Sequence, residues 1–249
     1  MLTAGLVSVT FRQLSRSEIA EVMKKSAITA IEWGADIHVP PNDTAAADDA
    51  AEICRTNGIV TASYGSYYRC SANEDEMDAV IASAVRLGTG HIRVWAGSKG
   101  SADADDRADT VRNLKTFAKK SAAHGIRVSP EFHGGTLTDH YESAVRLAEE
   151  VAEDNLSLYW QPNQFRDDDY NRAALRAVLP YLSNVHVFTW DSKAWYPLAD
   201  GERMWKEYID IIASSGRDHN LLMEFVVGHS PDQFARDAET LKNWIRDKR

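Results

Sequence analysis

Residues Glu74–Trp95 read EDEMDAVIASAVRLGTGHIRVW and contain one complete helix-to-strand unit. The apolar residues of Glu74–Leu87 recur at helical spacing, and Gly88 follows where a left-handed residue often ends a helix. A short run with β-branched and aromatic residues, His91–Trp95, then predicts a strand. Because such units repeat, each strand is expected to pair in parallel with a neighbour through a right-handed crossover.

The same alternation of short apolar runs and longer amphipathic segments continues from one end of the chain to the other. The predicted strands are Leu6–Thr10, Ala30–Trp33, Val60–Tyr64, His91–Trp95, Arg127–Glu131, Leu156–Trp160, Val185–Phe188 and Leu221–Phe225. The predicted helices are Ser17–Ser26, Ala45–Asn57, Glu74–Leu87, Arg107–His124, Asp139–Glu153, Tyr170–Leu179, Glu202–Ser214 and Pro231–Lys248.

These units favour closure into a barrel over an open dinucleotide-binding sheet. The turn after the first strand contains no G-x-G-x-x-G, which such sheets usually carry. The units are similar in size and no linker divides the chain at its midpoint. We therefore predict an α/β fold, a single-domain (β/α)8 TIM barrel over residues 1–249.

Composition limits the classes of partner. The net charge of −9 argues against nonspecific attraction to nucleic acid. No apolar stretch is long enough to predict a membrane helix, and MLTAGLVSVTFRQLSR is interpreted as a first strand, not a secretion signal. The two cysteines, Cys54 and Cys70, lie near no metal-binding motif and are expected to be reduced thiols in a cytoplasmic protein.

Ionisable residues lie in three apolar strands, near the carboxyl ends where barrels of this type carry their functional residues. Glu131 follows the run RVSP, His186 lies inside NVHVF, and Glu224 lies inside LLMEF. A carboxylate in a buried strand is costly unless it forms an ion pair or binds a cation. Three such residues directed into one space favour a metal site, and their ligand types suit Mn²⁺, Mg²⁺, Co²⁺ or Zn²⁺.

Other strand-end residues are candidates for a fourth ligand and for substrate contacts. Gln161, in YWQPNQ, is the natural fourth metal ligand through its amide oxygen, or it orients a ligand or the substrate. Arg12 and Arg69 are candidates for binding a phosphate or carboxylate. Clustered aromatic rings are typical of a carbohydrate pocket, although rim packing explains any single ring. The predicted substrate-binding residues are His38, Tyr64, Arg69, Trp95, His133 and Trp190.

The whole chain resembles the xylose-isomerase-like TIM barrels, the sugar phosphate isomerase/epimerase superfamily. The motifs that carry the resemblance are GLVSVTFR, IEWGADIHVP, SYGSYYR, IRVWAG, EFHGGTLTD, YWQPNQ, VHVFTW and LLMEFV. The resemblance implies one divalent metal held by two glutamates, an aspartate and a histidine. Glu131, Glu224 and His186 match three of these, whereas Gln161 stands at the aspartate position and Gln164 where many members have histidine.

The resemblance also implies a reaction. The leading hypothesis is a metal-dependent isomerase or epimerase that acts on a sugar or sugar-like hydroxy carbonyl compound through an enediolate. Glu131 and Glu224 are then the catalytic residues, which remove and return a proton while also binding the metal. The expected partner is a small-molecule carbohydrate, and a homo-oligomer is compatible with the sequence.

Three alternatives accompany this hypothesis. A metal-dependent lyase or dehydratase on an oxidised sugar or glycoside would form the same enolate and then expel a β-leaving group. A non-catalytic carbohydrate-binding barrel would explain the missing aspartate. Endonuclease activity, found in one branch of the superfamily, needs many histidines and a basic face, and the net charge of −9 argues against it.

Overall fold

A computed structural model describes residues 1–246 and residue 248. The strands are β1 (Leu2–Val7), β2 (Ala30–Gly34), β3 (Val60–Gly65), β4 (His91–Val94), β5 (Arg127–Pro130), β6 (Leu158–Trp160), β7 (Leu182–Val187), β8 (Thr189–Trp190), β9 (Trp195–Tyr196) and β10 (His219–Met223). The α-helices are α1 (Arg16–Lys25), α2 (Thr44–Asn57), α3 (Glu74–Leu87), α4 (Arg107–Ala122), α5 (Tyr141–Val151), α6 (Asp168–Val178), α7 (Glu202–Ala213) and α8 (Pro231–Ile245).

Eight of these strands form one sheet in the order β5-β4-β3-β2-β1-β10-β7-β6, and all of its pairs are parallel. Two parallel bridges, Val128 to Leu156 and Glu131 to Tyr159, join the β5 and β6 edges. The remaining strands, β8 and β9, form a small antiparallel hairpin in the loop after β7. The predicted (β/α)8 barrel is therefore confirmed, and the hairpin is an addition that the sequence did not indicate.

The first strand lies earlier in the chain than the predicted range Leu6–Thr10. Residues Leu2–Leu6 pair with His219–Met223 of β10, and Ser8–Phe11 form a 3-10 helix. The chain turns here because two side chains bind the ends of neighbouring strands. Ser8 Oγ accepts a hydrogen bond from the Gly34 amide at 2.8 Å, and Thr10 Oγ1 accepts one from the Phe225 amide at 3.1 Å.

Helix ends follow local capping chemistry. Ser15 caps α1 in a capping box with Glu18, so this helix begins at Arg16, one residue before the predicted Ser17. Ser230 caps α8, which begins at Pro231 as predicted. The predicted helix Pro231–Lys248 includes position 247, which lies outside the described residues. No helix in the described part of the chain combines the length and the apolar character needed to span a bilayer.

The core has two parts. A large apolar layer lies between the helices and the sheet. A smaller apolar cluster is formed by Val7, Val9, Ala30, Ala62, Tyr159 and Leu222. Near the carboxyl ends of the strands, the buried side chains become ionisable: Glu32, Arg93, Glu131, His186 and Glu224 are each less than a tenth exposed. Charge buried inside a barrel is costly unless it is paired, so this end of the barrel is the candidate site.

Candidate active site at the carboxyl ends of the strands

Glu131, His186 and Glu224 come together at the barrel mouth. Glu131 directly follows β5, His186 lies in β7, and Glu224 directly follows β10. Each offers one ligand atom, and these atoms all lie within 4.8 Å of one another. The three side chains are buried, and two carboxylates with one imidazole form a donor set that suits a hard or borderline divalent cation. The residues present therefore fit a metal, and their roles as ligands stay a prediction.

His186 lies at the centre of this group. Its Nδ1 is 3.4 Å from Glu131 Oε1, 3.4 Å from Glu224 Oε2 and 3.0 Å from Gln161 Oε1. The Gln161 amide is oriented by its Nε2, which donates to the Phe132 carbonyl at 2.7 Å. This bond turns the amide oxygen toward the imidazole. Gln161 thus faces the same nitrogen as the two glutamates, and its coordination of a metal stays a prediction.

A buried ion pair that was not predicted from the sequence lies beside these three residues. Arg93 Nε is 2.7 Å from Glu32 Oε1, and Arg93 Nη1 bonds Glu131 Oε2. Trp95 Nε1 also donates to Glu131 Oε2, at 2.6 Å. The signal was present in AIEWG and HIRVW, because each places a charge inside an apolar strand, as LLMEF does for Glu224.

The two glutamates of the group differ in acidity. Burial by itself would raise the pKa of Glu131, but the charges of Arg93 and His186 outweigh it and lower that pKa to about 2. Burial raises the pKa of Glu224 to about 7, and the charge of Glu131 adds to this effect. Burial would lower the pKa of His186, but the surrounding carboxylates raise it to about 10.

The charges of the site also fit a divalent ion. Glu32, Glu131 and Glu224 carry three negative charges when ionised, and Arg93 carries one positive charge. With a neutral His186 the sum is −2, which a divalent cation balances. Without a cation, protons on His186 and Glu224 reduce the negative charge of the site, as the raised pKa values of these two residues indicate. Metal binding is therefore expected to release protons.

A pocket of about 390 Å³ opens above these residues. Glu131, Gln161 and Glu224 line it, together with Arg93 and Arg12. Its aromatic wall is formed by Tyr67, Trp95, Phe132, Phe165, Trp190 and Phe225. This volume suits a small molecule. Tyr67 and Phe225 have positive φ angles of 56° and 55°, a backbone conformation that is uncommon for aromatic residues and often found at functional sites.

The predicted substrate-binding residues divide into two groups. Trp95, His133 and Trp190 line the pocket, and the rings of Trp95 and His133 stack with their centres 4.2 Å apart. The other three predicted residues, His38, Tyr64 and Arg69, do not line this pocket.

The three residues outside the pocket have other contacts. His38 is buried between Ser8 Oγ at 3.0 Å and the Leu14 carbonyl at 3.1 Å. The Tyr64 hydroxyl donates to the Val39 carbonyl at 2.8 Å, and Arg69 lies over the Trp95 ring at 4.0 Å. His38 and Tyr64 pack behind the mouth because consecutive residues of a strand and its loop point in different directions. Arg69 is exposed. Of the two arginines considered as anion-binding groups, only Arg12 lines the pocket.

The topology and the grouped donors define a class, a (β/α)8 barrel with a cluster of glutamates and histidine at its mouth. A family model described as xylose isomerase-like TIM barrel matches residues 20–246, so the chain belongs to that family. The resemblance predicted from the motifs is confirmed.

One similar protein of known activity is the 3-dehydroshikimate dehydratase of Bacillus anthracis. The two sequences are 26% identical over 168 residues, which is 62% of this chain and 59% of the dehydratase. The match thus spans about three fifths of the length of that relative.

Solved structures share the fold over nearly the whole chain. The probable 3-DHS dehydratase AsbF of Bacillus anthracis has a TM-score of 0.80 at 18% identity, covering 98% of this chain and 99% of the other. D-psicose 3-epimerase of Clostridium cellulolyticum, solved with D-tagatose, has a TM-score of 0.72 at 16% identity and covers 98% of both chains. A Mycobacterium smegmatis barrel protein in complex with magnesium has a TM-score of 0.75 at 14% identity, covering 99% and 97%.

Proposed function

We propose that this protein is a divalent-metal-dependent lyase that removes water from a small hydroxy ketone carrying a carboxylate. The observation that carries the proposal is the unequal environment of the two glutamates. Glu131 Oε2 accepts hydrogen bonds from both Arg93 and Trp95, and its pKa is lowered to about 2. Glu224 is buried 3.4 Å from His186 Nδ1, and burial raises its pKa to about 7 in the metal-free protein. Glu131 is therefore held as a fixed anion, and Glu224 is the carboxylate available to act as the base.

One base is sufficient for an elimination. Glu224 removes a proton from the carbon next to the substrate carbonyl, and the electron pair of that C–H bond moves onto the carbonyl oxygen. When the electrons return, a carbon–carbon double bond forms and the β-carbon–oxygen bond breaks. The departing hydroxyl takes back the proton from Glu224 and leaves as water, which regenerates the carboxylate.

A metal bound by Glu131, His186 and Glu224 would stabilise the negative charge that develops on the carbonyl oxygen. Arg93 and Trp95 hold Glu131 in one orientation, and aromatic rings form one wall of the pocket above it. Arg12 at the pocket lining supplies a positive charge for a substrate carboxylate. The similarity to a 3-dehydroshikimate dehydratase supports the same reaction class.

The direct test uses 3-dehydroshikimate with the purified protein and Mg²⁺ or Mn²⁺. Loss of one water from this ring leaves an aromatic dihydroxybenzoate, whose ultraviolet absorption reports the reaction continuously. We expect product to form with metal and to disappear after chelation. Conversion that is insensitive to chelation, or no conversion of this or any other β-hydroxy ketone acid by the metal-loaded protein, would contradict the proposal.

The second candidate is the sugar epimerase or isomerase that the motifs suggested first. One observation favours it: Glu131 and Glu224 lie at equal distances of 3.4 Å from His186, an arrangement that two-base proton exchange could use. The two reactions are separated by their products. Incubation with D-psicose or D-tagatose in deuterated water would give an isomer with deuterium at the exchanged carbon if this candidate is correct.

A further inference from the structure

Four polar atoms buried around the proposed metal site have no hydrogen-bond partner within the described residues. They are Glu32 Oε2, Arg93 Nη2, Tyr159 Oη and His186 Nε2. Unsatisfied buried polar atoms are rare and call for a specific explanation. Glu32 and Arg93, which carry two of them, are 0% and 1% exposed. A charged pair so completely enclosed contributes little net stability compared with apolar residues of the same volume.

The first function of the pair concerns Glu131. The Arg93 guanidinium bonds Glu32 through Nε and Glu131 through Nη1, so one rigid planar group connects the two carboxylates. Its contact with Glu131 is to Oε2, whereas Glu131 Oε1 faces His186 at 3.4 Å. Arg93 thus fixes the orientation of Glu131 and leaves the other oxygen directed toward the space shared with His186.

The second function concerns His186. Its Nδ1 faces the two glutamates and Gln161, whereas its Nε2 lies 3.5 Å from Glu32 Oε1. A metal-binding imidazole usually directs its other ring nitrogen at a carboxylate, a backbone carbonyl or a water, which fixes the tautomer and the ring plane. Glu32 is the carboxylate that faces this nitrogen, within ion-pair distance although not in a hydrogen bond.

The neighbouring strand is shaped to admit this pair. Gly65, the last residue of β3, has no side chain, and a Cβ there would lie 2.6 Å from Arg93 Nη2 and 2.6 Å from Glu32 Oε1. Because the two charges of the pair cancel, Glu32 and Arg93 do not change the net charge that a cation meets. Their contacts instead orient the side chains of Glu131 and His186.

We infer that Glu32 and Arg93 are positioning residues, which hold Glu131 and His186 in the geometry that binds the metal. The inference rests on the proposed metal site. Loss of such supporting residues typically lowers metal affinity by about 10- to 100-fold.

The test is titration calorimetry of the full chain with Mn²⁺. The double variant Glu32→Gln with Arg93→Met removes the pair and keeps the net charge of the site, and we expect its dissociation constant to rise about 10- to 100-fold. Ser63→Ala is the matched control, because Ser63 pairs with Glu32 across β2 and β3 and its buried hydroxyl also has no partner in the part of the chain that the structure describes. The control is expected to bind Mn²⁺ like the unchanged protein.

A second variant covers the case in which the double variant does not fold. Glu32→Asp keeps both charges and shortens the carboxylate side chain by one methylene, and we expect its dissociation constant to rise by about fivefold or more. The apo proteins are compared by thermal unfolding, so that a loss of affinity in a fully folded variant reports on positioning.

The outcomes separate the two proposals. If the unchanged protein binds Mn²⁺ tightly and the folded variants bind it equally tightly, the positioning role is overturned and the metal site stands. If the unchanged protein binds no Mn²⁺, Mg²⁺, Co²⁺ or Zn²⁺, the metal site itself is overturned, and the positioning role with it.

Discussion

Glu131 and Glu224 are the same residue type at one site, yet their neighbours give them different chemistry. Glu131 is held by Arg93 and Trp95, which stabilise its charged form. Glu224 is buried beside another carboxylate, which favours its protonated form near neutral pH. A pair of acids whose pKa values are pushed apart is typical of sites in which one is the proton carrier and the other is a fixed anion.

The first residue-scale prediction concerns Glu224→Gln. Glutamine retains one of the two side-chain oxygens, as an amide oxygen, and has nearly the same volume as glutamate. It cannot act as a base that takes a proton from carbon. We expect kcat for the elimination to fall by about 100- to 10,000-fold, the usual contribution of a general base. Steady-state assays measure this, with the exposed Glu149→Gln as the control variant. Retention of more than about a tenth of the activity would exclude Glu224 as the base.

The second prediction concerns Arg12, which lines the pocket and forms an ion pair with Asp36 at 2.6 Å. If Arg12 binds the substrate carboxylate, Arg12→Met should raise KM by about 10- to 100-fold, because a hydrogen bond to a charged group is lost. Little change in kcat is expected. Arg86→Met is the matched control, since Arg86 forms a similar surface pair with Asp48 and does not line the pocket. An unchanged KM in Arg12→Met would show that another group binds the carboxylate.

At the scale of elements, strand β3 determines whether the buried pair fits. We expect Gly65→Ala to lower the free energy of unfolding by about 1–3 kcal/mol, the usual cost of overpacking, and to weaken Mn²⁺ binding as well. The control is Gly90→Ala, because a Cβ at Gly90 meets no atom of residues 1–246 or 248 within 4 Å. Denaturant titration of both variants measures the difference. Equal stability of the two variants would mean that the Arg93 and Glu32 side chains can shift without cost.

Secondary-structure elements were easier to predict from the sequence than the positions of individual side chains. The alternation of periodicities was sufficient for the barrel, because each strand and helix leaves a local pattern. The start of β1 was placed too late, since Ser8 and Thr10 belong to a turn that is stabilised by contacts with Gly34 and Phe225, distant in sequence. The β8–β9 hairpin left too short a pattern to be recognised.

For the site, strand position indicated which residues approach the mouth but not which way each side chain points. His38 and Tyr64 were expected in the pocket and instead bond backbone and side-chain groups behind it. Glu32 and Arg93 were overlooked because their significance depends on each other, and Arg93 joins Glu32 and Glu131 across separate strands.

At the scale of the whole molecule, the two ends of the barrel differ in chemistry. The end opposite the mouth contains His91, the first residue of β4, next to Arg127 of β5. Burial lowers the pKa of His91 to about 4, and the charge of Arg127 adds to the effect. An unfolded chain binds this proton near its ordinary pKa of 6.5, whereas the folded protein binds it only near 4.

This difference predicts how stability depends on pH. Above pH 6.5 both states are neutral at His91; between about 6.5 and 4 only the unfolded chain is protonated, so stability falls as the pH falls. The loss should be about 2 kcal/mol after allowance for partial exposure. The free energy of unfolding, measured across this pH range, should decline less steeply for His91→Gln than for the unchanged protein. Parallel curves would mean that other groups cause the acid sensitivity.

We propose that Glu131, His186 and Glu224 bind one divalent metal in the pocket where the elimination takes place. Anomalous scattering from crystals grown with Mn²⁺ would reveal such an ion. We expect one strong anomalous peak among Glu131 Oε1, His186 Nδ1 and Glu224, and loss of that peak in His186→Ala. No peak at this position in crystals containing Mn²⁺, or a peak that persists in His186→Ala, would contradict it.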